Sequence, residues 1–97
     1  MADYTSDGVD LAFEIWRDLP DLTRTDQQAV RDLTSEGVTL ARLIVQHHLG
    51  TPASTGEVTE QMHNRLLFTR DLIAEKRSAY PADYIPAHHA RVMRLPE

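Results

Sequence analysis

The sequence predicts an all-α fold: a small three-helix bundle followed by an extended, proline-bounded C-terminal arm with room for a short fourth helix. Three observations carry this. Apolar residues recur at helical spacing in three segments, cap and stop residues bracket each segment, and no stretch alternates apolar with polar residues as a strand would. At 97 residues the chain has the length of one domain. Its 41% hydrophobic and 26% charged content is that of a globular protein, which argues against disorder throughout. The helices are expected over about 7-19, 26-49 and 55-78, within a helical domain 1-80, with 81-97 as the arm.

Ser6 or Asp7 offers an N-cap for the first helix, and Pro20 stops it. Val9, Leu11, Ala12, Phe13, Ile15, Trp16 and Leu19 cover roughly 200° of that helix, more than the ~100° that one contact needs. Thr25 to Gln28 reads as a capping box for the second helix. There Val30, Leu33, Gly37, Leu40, Ala41 and Ile44 share a face. Gly37 costs about 1 kcal/mol against alanine inside a helix. Either it admits another helix closely, or residues 34-37 break the segment; the expectation is one helix with a kink there. Gly50 and Pro52 close this element. Ser54 to Glu57 is a second capping box, opening a third helix with one stripe of Val58, Met62, Leu66, Ile73 and Tyr80 and another of Phe68 and Leu72. Pro81 and Pro86 then force extended backbone on the residues before them.

Charge is unevenly spread. Residues 1-37 hold nine acids against three arginines, and residues 38-97 six acids against seven bases, within a net charge of −5. The acidic part argues against nucleic acid or an anionic membrane as its partner. Uninterrupted apolar runs such as Leu43-Ile44-Val45 are far too short to span a bilayer. The acidic, polar start is unlike a signal peptide, and with no cysteine the default setting is cytoplasmic. Absence of cysteine removes disulfides, Cys-based zinc sites and thiol catalysis. Nine of the ten basic residues are arginine, a bias of GC-rich genomes that suits a phage gene.

No chemistry-bearing constellation is complete. Glu60 and His63 form a single Glu-x-x-His, the pattern that di-metal bundles use twice, with no second copy. His63 fits a mostly polar face with Thr59 and Arg70; His47 suits a helix C-terminus, and His48 a packed, hydrogen-bonded place on an apolar face. No nucleophile elbow, HExxH or phosphate loop is present, nor the Asp-Ser-Leu attachment site of acyl carrier proteins. Neither catalysis nor a cofactor nor a metal is therefore expected.

Two alternatives belong to other classes: a helix-turn-helix DNA-binding regulator and a His/carboxylate metal-binding helical protein. Against the first, the turn at Gly50 is long, and Glu57 and Glu60 would head the recognition helix where phosphates lie.

The surplus is apolar. Phe13 and Trp16 on the first helix, with Tyr84, Ile85, Val92 and Met93 in the arm, are the expected partner-binding residues, since aromatic anchors dominate binding hot spots. The expectation is a small acidic helical protein that works by associating with another protein or with itself, as a regulator, inhibitor, adaptor or assembly component. Within that reading, the acidic part could mimic DNA towards a DNA-binding protein.

Overall fold

A computed structural model describes residues 4–50 and 57–84. The described residues form three helices and no strand: α1 (Thr5–Asp18), α2 (Arg24–His48) and α3 (Glu60–Ser78), with a short 3₁₀ turn over Leu19–Asp21. The all-α, three-helix expectation holds. None of these helices is long and apolar enough to cross a membrane. The short fourth helix, Ser54 and most of the arm fall outside the described residues.

The helix ends show which local signals win. α1 begins after Tyr4 with no side-chain cap, so Ser6 and Asp7 lie inside the first turn rather than at its cap. Pro20 ends α1 as expected, by starting the 3₁₀ turn instead of continuing the helix. α2 is capped by Thr23, not Thr25: Thr23 is extended (φ −62°, ψ 160°), and its hydroxyl accepts the Asp26 amide at 3.1 Å. α3 starts at Glu60 rather than near 55, because Thr59 supplies the cap, accepting the Met62 amide at 3.2 Å. At the end of α2, Gly50 takes φ +86°, the left-handed conformation that its place after the helix requires.

The core is drawn from every element. Leu11, Ala12 and Ile15 of α1 meet Val30, Ala41 and Ile44 of α2 and Leu66 and Ile73 of α3, with Leu19, Leu22 and Val58 from the connections. Long-range contacts fix how the helices run. Tyr4 stacks on His63 at 4.8 Å, and Glu14 reaches Arg70 at 3.7 Å, so α1 runs along α3 in the same direction. Gly37 meets Thr69, and Thr23 meets Tyr80, so α3 runs back along α2.

Two buried threonines shape that second contact. Thr34 bonds its hydroxyl to the Val30 carbonyl at 2.6 Å and departs from helical geometry (φ −136°, ψ 38°). A threonine bonded back to the preceding turn bends a helix, and α2 bends here. Thr69 does the same to the Arg65 carbonyl at 2.9 Å, which lets a hydroxyl sit fully buried. Between them lies Gly37, where a Cβ would fall 1.9 Å from the Thr69 hydroxyl oxygen. Both readings of residues 34-37 thus apply: α2 is two helical stretches that meet at a kink at Thr34, and Gly37 admits α3.

The far ends of α2 and α3 are joined by one tyrosine. The Tyr80 hydroxyl accepts the Thr23 amide at 3.0 Å and donates to the Asp26 carboxylate. Burial, and then the bond to Asp26, hold the Tyr80 hydroxyl above its ordinary pKa. A raised value means the folded state favours the protonated phenol. This contribution is present below the unfolded pKa of about 10 and is lost as pH rises through the folded one. Tyr80→Phe should therefore cost about 0.5–1.5 kcal/mol at neutral pH. Urea melts of the two proteins should converge as pH climbs past 10; a gap that widens there would contradict the assignment.

Candidate interaction surface

The expected partner-binding residues divide. Trp16 is 48% exposed, outside the core. Phe13 is half-buried, packed on the core with its ring set edge-on to His48 at 5.4 Å. Its outer side, with Asp10, Glu14 and Arg17, lines a shallow hollow on α1. The surplus apolar arc of α1 is thus shared: Phe13 closes towards the end of α2, and Trp16 stays open. Tyr84 is half-buried against the bundle. Its ring lies 4.4 Å from that of Tyr80, and the Arg77 guanidinium sits 5.2 Å from its centroid. Such a cation–aromatic stack ties the start of the arm to the end of α3. Ile85, Val92 and Met93 lie outside the described residues.

Two apolar residues expected in helix stripes prove to be the open ones. Leu33 is 67% exposed and Phe68 62% exposed, and both flank one cleft of about 500 Å³ between α2 and α3. Thr34, Gly37 and Thr69 contribute to its wall, and Gln61 and Asn64 add amide groups. Phe68 follows from helix geometry: at roughly 100° per residue it points about 200° away from the buried Leu66. Leu33 does not follow from it. On a straight helix it would lie within about 20° of the buried Ile44. The bend at Thr34 separates their directions. The separate stripe of Phe68 and Leu72 already set Phe68 apart from the Leu66 face in the sequence; no local signal marks Leu33.

The cleft continues along the same groove. Past Ser35, Glu36 and Arg65 lies a hollow of about 430 Å³ lined by Leu40, Leu43 and Met62, each half-buried. Glu36 and Arg65 pair across the groove at 3.2 Å, the carboxylate side chain 72% exposed. An exposed pair of this kind stabilises a fold by about 0–1 kcal/mol. It marks the groove more than it holds it.

The histidines differ from expectation in detail. His48 is exposed at the last position of α2, its ring edge-on to Phe13, rather than packed into an apolar face. His63 is half-buried by the ring of Tyr4 rather than set on a polar face. Among the described residues no three His, Asp or Glu side chains gather as a metal site would need. Glu57 and Glu60 stand exposed at the head of α3.

The chain matches no model of a known protein family, no curated protein and no solved structure, so its own surface is the guide to what it does.

Proposed function

We propose that this chain is a non-enzymatic association module of the cytoplasm: a small acidic helical protein that regulates, inhibits, adapts or assembles by binding another protein or itself. One observation carries the reading. Around a closed core, Trp16, Leu33, Leu49 and Phe68 leave about half or more of their surface open, Leu49 at 70%. Two of the four flank the same cleft. Scattered exposed apolar residues are ordinary, but large ones gathered at a groove mark interaction surfaces. The acidic head of α3, and its course back along α2, support this reading over helix-turn-helix DNA binding, where the two helices cross steeply and the second enters a polyanion's groove.

Trp16→Ala separates binding from folding. A half-exposed tryptophan should cost well below the roughly 3–5 kcal/mol of a buried aromatic. As an interface anchor it should weaken binding by about 2 kcal/mol or more. Light scattering and crosslinking, on purified chain and on chain mixed with host extract, should find a complex of fixed stoichiometry that this variant loses while its melt barely moves. A wild-type chain that stays monomeric and forms no such complex would overturn the proposal.

A further inference from the structure

The geometry points to the chain's own residues 85–97, outside the described residues, as the occupant of a hollow between the ends of α1 and α3. This inference stands apart from the association reading. The hollow measures about 350 Å³ and shares no residue with the α2–α3 groove. Ile73, Ala74, Arg77 and Ser78 of α3 line it, with Asp18 of α1 and Asp21 of the 3₁₀ turn opposite. Where the described chain ends selects the occupant. Arg77 belongs both to the hollow and to the arm's root, its guanidinium 5.2 Å from the centre of the Tyr84 ring. Ile85 follows at once and starts at the hollow's edge, where Ile73 and Ala74 offer it an apolar seat.

Charge complementarity selects the same occupant and the same side of the bundle. Residues 85–97 hold Arg91 and Arg94 against Glu97, while the rest of the chain holds eight bases against fourteen acids. Those acids are not evenly placed. α1 and the 3₁₀ turn hold five acids and one arginine, α2 three of each, and α3 three acids and four bases. The basic segment is drawn to α1, whose end borders the hollow. Extended chain gives Arg91 a reach of about 23 Å from Tyr84. Asp18, Glu14 and Asp10 stand within about 17 Å of Asp21 along α1, so the arginines can meet them with Ile85 seated. The α2–α3 cleft is the poorer seat: Glu36 and Arg65 balance there, and Phe68 stands about 18 Å along α3 from Tyr80. The apolar residues of the arm are then spent within the chain, and Trp16 and the α2–α3 cleft remain for a partner.

Disulfide trapping in the full chain tests this, because the sequence has no cysteine of its own. With Ile85 in the hollow, Ala74→Cys and Ile85→Cys together bring two thiols within reach of a disulfide. Glu75→Cys with Ile85→Cys is the control: Glu75 is also exposed, but points about 100° away around α3. In a glutathione buffer the Ala74 disulfide should form within one chain, about tenfold more favourably than the control. Adding Arg91→Glu and Arg94→Glu turns the segment's charge against α1 and should cut that preference to about twofold or less. Circular dichroism on the same samples checks folding. Alkylation of a single thiol reads the same contact should a double variant fold poorly: Ala74→Cys should react faster once Ile85→Asp is added, and Glu75→Cys should not. Equal disulfides at the two positions, a disulfide formed between chains, or a preference indifferent to the arginine reversals overturns the proposal.

Discussion

Gly37→Ala is expected to destabilise this protein by about 1–3 kcal/mol, the scale of overpacking. The same exchange in an exposed helix would stabilise by about 1 kcal/mol, so even the sign is diagnostic. The added methyl meets the Thr69 hydroxyl oxygen at 1.9 Å and the Arg65 carbonyl oxygen at 3.1 Å. Thr69 is fully buried and bonded to its own helix, so turning its hydroxyl aside breaks that bond. Either the bond breaks or α3 backs away from α2, at the point where they set the groove. Combining Gly37→Ala with Thr69→Ala removes the obstructing oxygen. The double variant should be more stable than the sum of the two single losses, by about 0.5 kcal/mol or more. Urea denaturation of the four proteins measures this. A stabilised Gly37→Ala would mean that the helices do not meet here.

The second large effect is a contrast between near neighbours. Leu66→Ala should cost about 2–5 kcal/mol, since that side chain is fully buried among all three helices. Phe68→Ala, two residues on, should change stability by about 0.5 kcal/mol or less, as exposed positions do. For a domain of this size, 1 kcal/mol moves the thermal midpoint by roughly 4–8 °C, so the two variants are easily told apart. Equal losses would make Phe68 part of the folding core and close the groove as an interaction surface.

Much of the fold was legible because the signals behind it are local. Helical periodicity found α1, α2 and α3, Pro20 and Gly50 marked real ends, and the Val58–Leu66–Ile73 stripe is the buried one. The cost of a glycine inside α2 pointed to close approach, and Gly37 makes it. What was misplaced depends on competition between similar local choices or on distant partners. Thr23 and Thr59 outcompete other hydroxyl residues as caps, because capping needs extended backbone at one residue and not only a favourable spacing. Thr69 went unremarked in the sequence, and it joins the core because its hydroxyl bonds its own helix. Leu33 reads as core until α2 bends at Thr34. The candidate surface was legible at Trp16, where the apolar arc exceeds what one bundle contact consumes. Its cleft was not, because Leu33 and Phe68 become neighbours only once α3 has folded back along α2.

If the apolar surface left open by this bundle serves association and not folding, Trp16, Leu33, Leu49 and Phe68 can all be replaced by glutamine without unfolding the chain. Thermal midpoint and solution mass, measured on the same sample of that variant, decide it. The expected result is a cooperative melt, a loss of no more than about 2 kcal/mol, and a monomer that binds nothing the wild type binds. A variant that unfolds, or one that associates as the wild type does, would contradict it.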